Sequence, residues 1–350
     1  MRREMRTVSA ATSDAFRAIP KCREVFSRGL LRGLAPALLL LVAPSVVDAQ
    51  VEVFGEVAKI TAVDGSEESV FGIEVALAGD RLFVGARQDG TGAAYVYELD
   101  DAGEWVLATK LTAPGELNDN DFGEALSAQG DRLAVGARND AAPLRGNGVA
   151  YIYERSGGGD WLPVARMRGD GNGLQLFGGS ISLDGDRVAI GALNDNVLGF
   201  TSGSAYLFER SPEGDWLQAF KLFGADTTSG DQFGTEVSLD GDRVAVSAIG
   251  DDDMGLSSGS VYVFEREPSG SWLEVAKVTA PDGGAFDEFG EALVLDGDRL
   301  LVGVVEDDDF GFSSGAVHVY RRNAEGGWEW SQKLTALDAG ARGEFGSSLS

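Results

Sequence analysis

The sequence predicts an all-β chain folded as a β-propeller of four-stranded antiparallel blades. Three observations predict it. A Phe-Gly pair recurs at Phe71, Phe122, Phe177, Phe233, Phe289 and Phe345, at steps of 51, 55, 56, 56 and 56 residues. A fixed period of that size marks one supersecondary unit repeated along the chain. Each unit holds four short runs in which apolar and polar residues alternate, separated by Gly, Pro, Asp and Ser, which is the strand pattern. No run has the length or the 3.6-residue period of a helix. Four consecutive antiparallel strands per unit make a propeller blade.

In chain order, residues 1–49 read as a secretory leader. Arg2 to Arg32 is basic, Gly33 to Val47 is apolar, and Val47-Asp48-Ala49 offers small residues for cleavage near Ala49–Gln50, with Met5 as an alternative start. The apolar run is too short to span a bilayer comfortably, so no membrane insertion is expected after cleavage. Residues 50–350 form the propeller. Its first piece, 51–62, is a fourth strand without its blade, with Phe54 in the column that Trp fills elsewhere. Complete blades follow at about 71–113, 122–168, 177–224, 233–280 and 289–336. Residues 345–350 are expected to form the first strand of a further blade. Five complete blades and two partial ones suggest a truncated seven-bladed ring, or else an imperfectly closed six-bladed one.

The blade at 233–280 shows each element. Thr235 to Leu239 alternates, and Asp240-Gly241 suits a type I′ hairpin turn. Arg243 to Ala248 is the second strand, and Ile249 to Ser258 is a long polar loop. Ser260 to Arg266 is the third strand, Pro268-Ser269-Gly270 a turn, and Trp272 to Thr279 the fourth strand. Several columns recur. Gly-Asp-Arg begins at Gly79, Gly130, Gly185, Gly241 and Gly297. An Asp stands at 89, 140, 195, 251 and 307. Tyr95, Tyr151, Tyr206, Tyr262 and His318 share a third-strand column. Trp105, Trp161, Trp216, Trp272 and Trp328 each open a fourth strand, and five residues later stands Lys110, Arg166, Lys221, Lys277 or Lys333. Strand alternation over five residues predicts Trp and cation on opposite faces, Trp between blades and the cation on an exposed edge that it guards against aggregation.

These motifs resemble the FG-GAP repeat, the unit of the integrin α-subunit head and of many bacterial secreted proteins. The resemblance rests on the Phe-Gly pairs, on Gly85-Ala86, Gly136-Ala137 and Gly191-Ala192 after second strands, and on Ser258-Gly259 to Tyr262. It covers roughly 51–350, with the bacterial form the nearer match. It implies a propeller, typically seven-bladed, used for adhesion or protein binding and often carrying Ca²⁺. One departure matters. The family's D-x-D-x-D-G-x-x-D calcium loop between the first two strands is here a tight x-Gly-Asp-Arg turn. That is too short to wrap an ion needing about 6–8 oxygen ligands, so that site does not carry over.

Composition narrows the function. The 350 residues include 49 Gly, 29 Lys and Arg and 56 Asp and Glu, a formal charge of −27. The leader holds eight of the basic and four of the acidic residues, which leaves the remainder more acidic still. Such a surface repels nucleic acid and anionic lipid and favours cations or basic partners. The single cysteine, Cys22, lies in the leader, so a mature secreted chain has no disulfide. With one histidine, His318, in a packed strand column, Ser-His-Asp, Cys-His and His-zinc chemistry are excluded.

Strand order puts the 2–3 and 4–1 connections on one face. That face collects Asp251-Asp252-Asp253 and Asp307-Asp308-Asp309, with Asp119, Asp121, Asp226, Asp231, Asp282, Asp287 and Glu288. The two triple-Asp loops are the candidate metal residues, because a hard cation such as Ca²⁺ would relieve the repulsion among adjacent carboxylates. A solvated acidic loop is the alternative, with Asp251 and Asp307 capping turns. Arg168-Gly169-Asp170 spells an integrin-recognition tripeptide, too short to carry weight. Trp330, outside the Trp column, is the freer aromatic. The Ser211–Trp216 and Ser156–Trp161 turns sit where sialidases carry a conserved turn, without its Asp placement. The expectation is a secreted, non-enzymatic module for extracellular adhesion, binding a protein or glycan ligand on this face, with Ca²⁺ as a candidate cofactor. A carbohydrate-binding propeller and a propeller glycoside hydrolase are the alternatives.

Overall fold

The structure is a computed structural model that describes residues 58–62, 64, 69–115, 121–139, 147–171 and 174–350. The leader and most of the strand expected over 51–62 lie outside the described residues, and 58–62 carry no strand. Residues 61–350 form one compact unit, and the regular elements among its described residues are all strands.

Five antiparallel sheets follow one another, each of four strands in sequence order. The first is β1 (Phe71–Ala78), β2 (Arg81–Ala86), β3 (Ala93–Leu99) and β4 (Trp105–Leu111). The second is β5 (Phe122–Gln129), β6 (Arg132–Ala137), β7 (Val149–Arg155) and β8 (Trp161–Met167). The third is β9 (Ile181–Asp184), β10 (Arg187–Ala192), β11 (Ser204–Arg210) and β12 (Trp216–Leu222). The fourth is β13 (Phe233–Asp240), β14 (Arg243–Ala248), β15 (Ser260–Arg266) and β16 (Trp272–Val278). The fifth is β17 (Ala292–Asp296), β18 (Arg299–Val304), β19 (Ala316–Arg322) and β20 (Trp328–Leu334). The five blades stand where the periodicity put them. The first strands β1, β5, β9, β13 and β17 pack successively side by side and form the inner layer of the propeller.

Burial explains the sequence patterns. Second and third strands are covered on both sides, and β14 and β15 are buried over most of their length. Fourth strands have one side free and alternate accordingly, as β16 does. The Phe of the Phe-Gly pair packs against the third-strand column in all five blades, edge-on in four of them, as Phe233 on Tyr262 at 5.3 Å and Phe177 on Tyr206 at 5.2 Å between ring centroids, and tilted for Phe122 on Tyr151. It also ties blade to blade, because Phe233 forms a parallel bridge to Gly203 of the preceding blade. The glycines are fixed by that crossing. A Cβ on Gly234 would lie 2.2 Å from the Ser204 carbonyl oxygen. The Trp column packs between blades as expected, with Trp161 edge-on to Phe83 of the first blade at 5.3 Å.

Three expectations are corrected. First, the 1–2 turn is centred on Gly241-Asp242, since Asp240 pairs with Arg243. Gly241 alone has positive φ, at 58°, which is the type II′ pattern with glycine first. Second, no strand forms over 345–350; Phe345 makes only the bridge to Gly315. A strand needs a hydrogen-bonding neighbour along its length, and none lies beside these residues among those described. Third, Trp272 and Lys277 lie on the same face of β16. Phe264 pairs with Glu274 and Val263 with Ala276, so Val275 is one extra residue, a β-bulge. The bulge resets the alternation, and an offset of five then returns to the same side. It recurs in all five fourth strands.

Candidate functional site

The long loops between second and third strands meet the 4–1 connections on one face, and backbone bonds fix them together. In the fourth blade Phe286, Glu288 and Phe289 donate their N–H groups to the carbonyls of Leu256, Ser257 and Ser258, at 2.8, 3.2 and 3.0 Å. Gly230, Gln232 and Phe233 do the same to Phe200, Thr201 and Ser202, and Arg342, Glu344 and Phe345 to Phe312, Ser313 and Ser314. Within the loop Ser258 Oγ accepts from Met254 N and donates to the Asp251 carbonyl. Ser257 holds φ at 51° while its N–H donates to Asp252 Oδ1 at 2.8 Å. The residue before the serine thus sits in a left-handed conformation that the surrounding bonds pay for.

The six aspartates proposed from sequence divide by depth. Asp251 and Asp307 are buried. Asp251 Oδ1 accepts from Ser260 Oγ and from the Asp253 N–H, as a turn cap does. Its Oδ2 accepts from Tyr262 Oη at 2.9 Å and from Lys277 Nζ at 2.8 Å. Lys277 Nζ also lies 2.9 Å from Asp226 and 2.7 Å from Asp253. Its distance to the Tyr262 ring centroid is 5.1 Å. In the fifth blade Lys333 Nζ lies 2.9, 2.6 and 2.6 Å from Asp282, Asp307 and Asp309. The third blade has the same arrangement with two carboxylates, Lys221 against Asp170 and Asp195 at 2.8 Å each. Asp252, Asp253, Asp308 and Asp309 are exposed to solvent.

Lys277 is therefore the cation of the acidic loop and not the guard of a free edge, which corrects the sequence reading. The bulge in β16 turns it inward. Burial alone would lower the Lys277 ammonium, but its bonds to Asp226, Asp251 and Asp253 outweigh this and raise it. Burial likewise opposes the charge on Asp226, and Lys277 and Tyr262 together hold its carboxyl below the usual range. No group of three or more His, Cys, Asp or Glu side chains among the described residues is arranged to hold a metal ion. The residues present do not fit the Ca²⁺ that the resemblance implies, because the point where the carboxylates converge is filled by an ammonium.

Two acids behave differently. Burial raises Asp231 and Asp287, and the neighbouring Asp251 and Asp252, or Asp307 and Asp308, add to the shift. His318 is fully buried, and burial lowers it. Trp330 Nε1 donates to His318 Nδ1 at 3.1 Å, so the aromatic left free in the sequence reading anchors the histidine. Asp170 of the Arg-Gly-Asp tripeptide accepts from Tyr206 Oη and Lys221 Nζ of the third blade, with its side chain 57% exposed.

The residues that sequence reasoning missed are apolar. Each of three consecutive long loops holds up a pair of exposed hydrophobics around a glycine: Leu198 and Phe200, Met254 and Leu256, Phe310 and Phe312. Phe200 is 77% exposed and Phe312 69%. Phe286, from the adjoining 4–1 connection, is also exposed. The signal was present as Asp-x-x-Φ-Gly-Φ-[Ser/Thr]-Ser-Gly at 195–203, 251–259 and 307–315, where Φ is apolar. Single exposed apolar residues are ordinary, but apolar residues gathered on one face of a protein are a mark of interaction surfaces.

A family model described as FG-GAP repeat matches residues 54–97, 105–153, 167–208, 216–264 and 272–320, more than half of the chain. No curated protein matches. Among solved structures the chain is similar to the crystal structure of a protein from Lactobacillus plantarum. The identity is 16%, with 75% of this chain and 71% of that chain covered, at a TM-score of 0.50. At that identity the likeness concerns the fold alone. Among the described residues no helix is long and apolar enough to cross a membrane.

Proposed function

This chain belongs to the FG-GAP repeat family, and from that premise we propose that it is a non-enzymatic extracellular interaction module. It binds a protein partner through the face of the 2–3 and 4–1 loops. The observation that carries the reading is the row of exposed apolar pairs on three consecutive blades. Leu198 and Phe200, Met254 and Leu256, and Phe310 and Phe312 are held in fixed loops. A rigid apolar anchor loses little conformational entropy when it is covered, and buried aromatic anchors dominate protein interfaces. Exposed Asp252, Asp253, Asp308 and Asp309 lie among the anchors and favour a partner whose apolar contact is flanked by Lys or Arg.

The test uses the purified chain on a panel of extracellular proteins, a glycan array and a panel of glycosides. The double variant Phe200→Ser, Phe312→Ser is compared with wild type. A protein partner is expected to bind wild type and to lose at least tenfold in affinity with the double variant. The melting midpoint should stay within about a degree, because both side chains are already in water. Glycan binding indifferent to the double substitution, or glycoside turnover, overturns the reading.

A further inference from the structure

We propose that Lys277 and Lys333 are tethered cations: each ammonium fills the place of a divalent ion among three carboxylates, so the long-loop face is assembled without bound metal. The inference concerns how the face is built and is independent of which partner it binds.

The geometry carries it. Three carboxylate oxygens from Asp226, Asp251 and Asp253 surround Lys277 Nζ at 2.9, 2.8 and 2.7 Å. Asp226 comes from a 4–1 connection and the other two from a 2–3 loop, so the ammonium joins the segments that make up the face. A calcium ion takes oxygens at about 2.3–2.6 Å, a few tenths of an ångström closer. The fifth blade repeats the arrangement around Lys333 with Asp282, Asp307 and Asp309. A divalent ion cannot occupy the point the ammonium fills, since two cations in contact repel and the ammonium already takes an oxygen of each carboxylate. The extra residue in each fourth strand, Val275 in β16 and Ser331 in β20, is what turns the lysine to the acidic side.

Removing the ammonium leaves three carboxylates around one point with no counter-ion, and a hard divalent cation that completes its shell with water is the probe that would restore the charge balance. Wild type and the variants Lys277→Ala, Lys333→Ala and Lys277→Arg are melted in EDTA and in millimolar CaCl2 at matched ionic strength, and each is titrated with CaCl2 by calorimetry. Wild type and Lys277→Arg are expected to show no calcium-dependent shift and no binding heat. Lys277→Ala is expected to melt lower in EDTA, to recover several degrees in calcium, and to bind calcium at one site. A calcium-dependent rise in wild type overturns the proposal, and so does a Lys277→Ala protein that ignores calcium. If Lys277→Ala folds in neither buffer, Lys333→Ala makes the same comparison in the fifth blade, and the wild-type titration remains decisive.

Discussion

The Phe-Gly pair that sets the period makes two different demands on its residues. Phe233 needs volume, since it is fully buried against Tyr262 and Phe264. Gly234 needs the absence of volume, since its φ is 89° and a Cβ would fall 2.2 Å from the Ser204 carbonyl oxygen. Gly241 also has positive φ, but a Cβ there meets nothing within 4 Å. Ala at position 241 should therefore cost only its positive-φ backbone, about 1–3 kcal/mol. Gly234→Ala should cost more, because the blades must also move apart. Urea unfolding of the two variants separates the terms, and equal losses would show that backbone strain alone fixes the Phe-Gly glycine.

At the scale of one strand, the bulge decides what the fourth strand does. Without it Trp272 and Lys277 would face opposite ways, as simple alternation predicts. With it, Trp272 packs on the core that includes Tyr262 and Phe264, and Lys277 reaches the acidic loop from the same side. Deleting Val275 should remove the bulge and swing Lys277 away from Asp251, leaving a buried carboxylate without its cation. Breaking such a pair costs about 3–5 kcal/mol. Val275→Thr, which keeps the residue count, should cost under about 1 kcal/mol, since Val275 is exposed. Equal midpoints for the deletion and Val275→Thr would refute the role given to the bulge.

Across the whole molecule, blades are joined by the Gly-Asp-Arg turns on the opposite face. Arg187 of the third blade donates to the Gly241 carbonyl and to Asp242 of the fourth, and Arg243 does the same to Gly297 and Asp298 of the fifth. The inner strands bring glutamates toward one another. Burial raises Glu236 of β13 to about 8, with repulsion from Glu74 of β1 adding to it. Burial also raises Glu74 to about 7, with repulsion from Glu124 adding, although solvent reaches Glu74. An unfolded glutamate titrates near about 4.3. Between that value and about 8 the folded chain holds the extra proton, so stability falls as pH rises through this window. Asp226 and Asp282 are held low instead; their contribution is present above about 3.9 and is lost as pH falls through their folded values. Glu236→Gln should match wild type near pH 4 and melt higher at pH 8.5. Thermal midpoints across pH check this, and parallel curves for the two proteins would rule out the inner-strand carboxylate as the cause.

The sequence by itself determined the blade: its period, its four strands, the packed Tyr column and the inter-blade Trp. Those are consequences of local alternation and turn chemistry, which a repeat states five times over. It also placed the acidic loops on one face, because strand order alone fixes which connections share a side. Only the tertiary structure decided what those acids do. A single extra residue per fourth strand is invisible to a period-2 reading, because it shows only against the partner strand. It moves Lys277 from the edge to the carboxylates of Asp226, Asp251 and Asp253. The apolar tips were equally hidden. Phe200 and Phe312 look like core residues until the surrounding loop is seen to bond its backbone to the next connection and leave the rings in water.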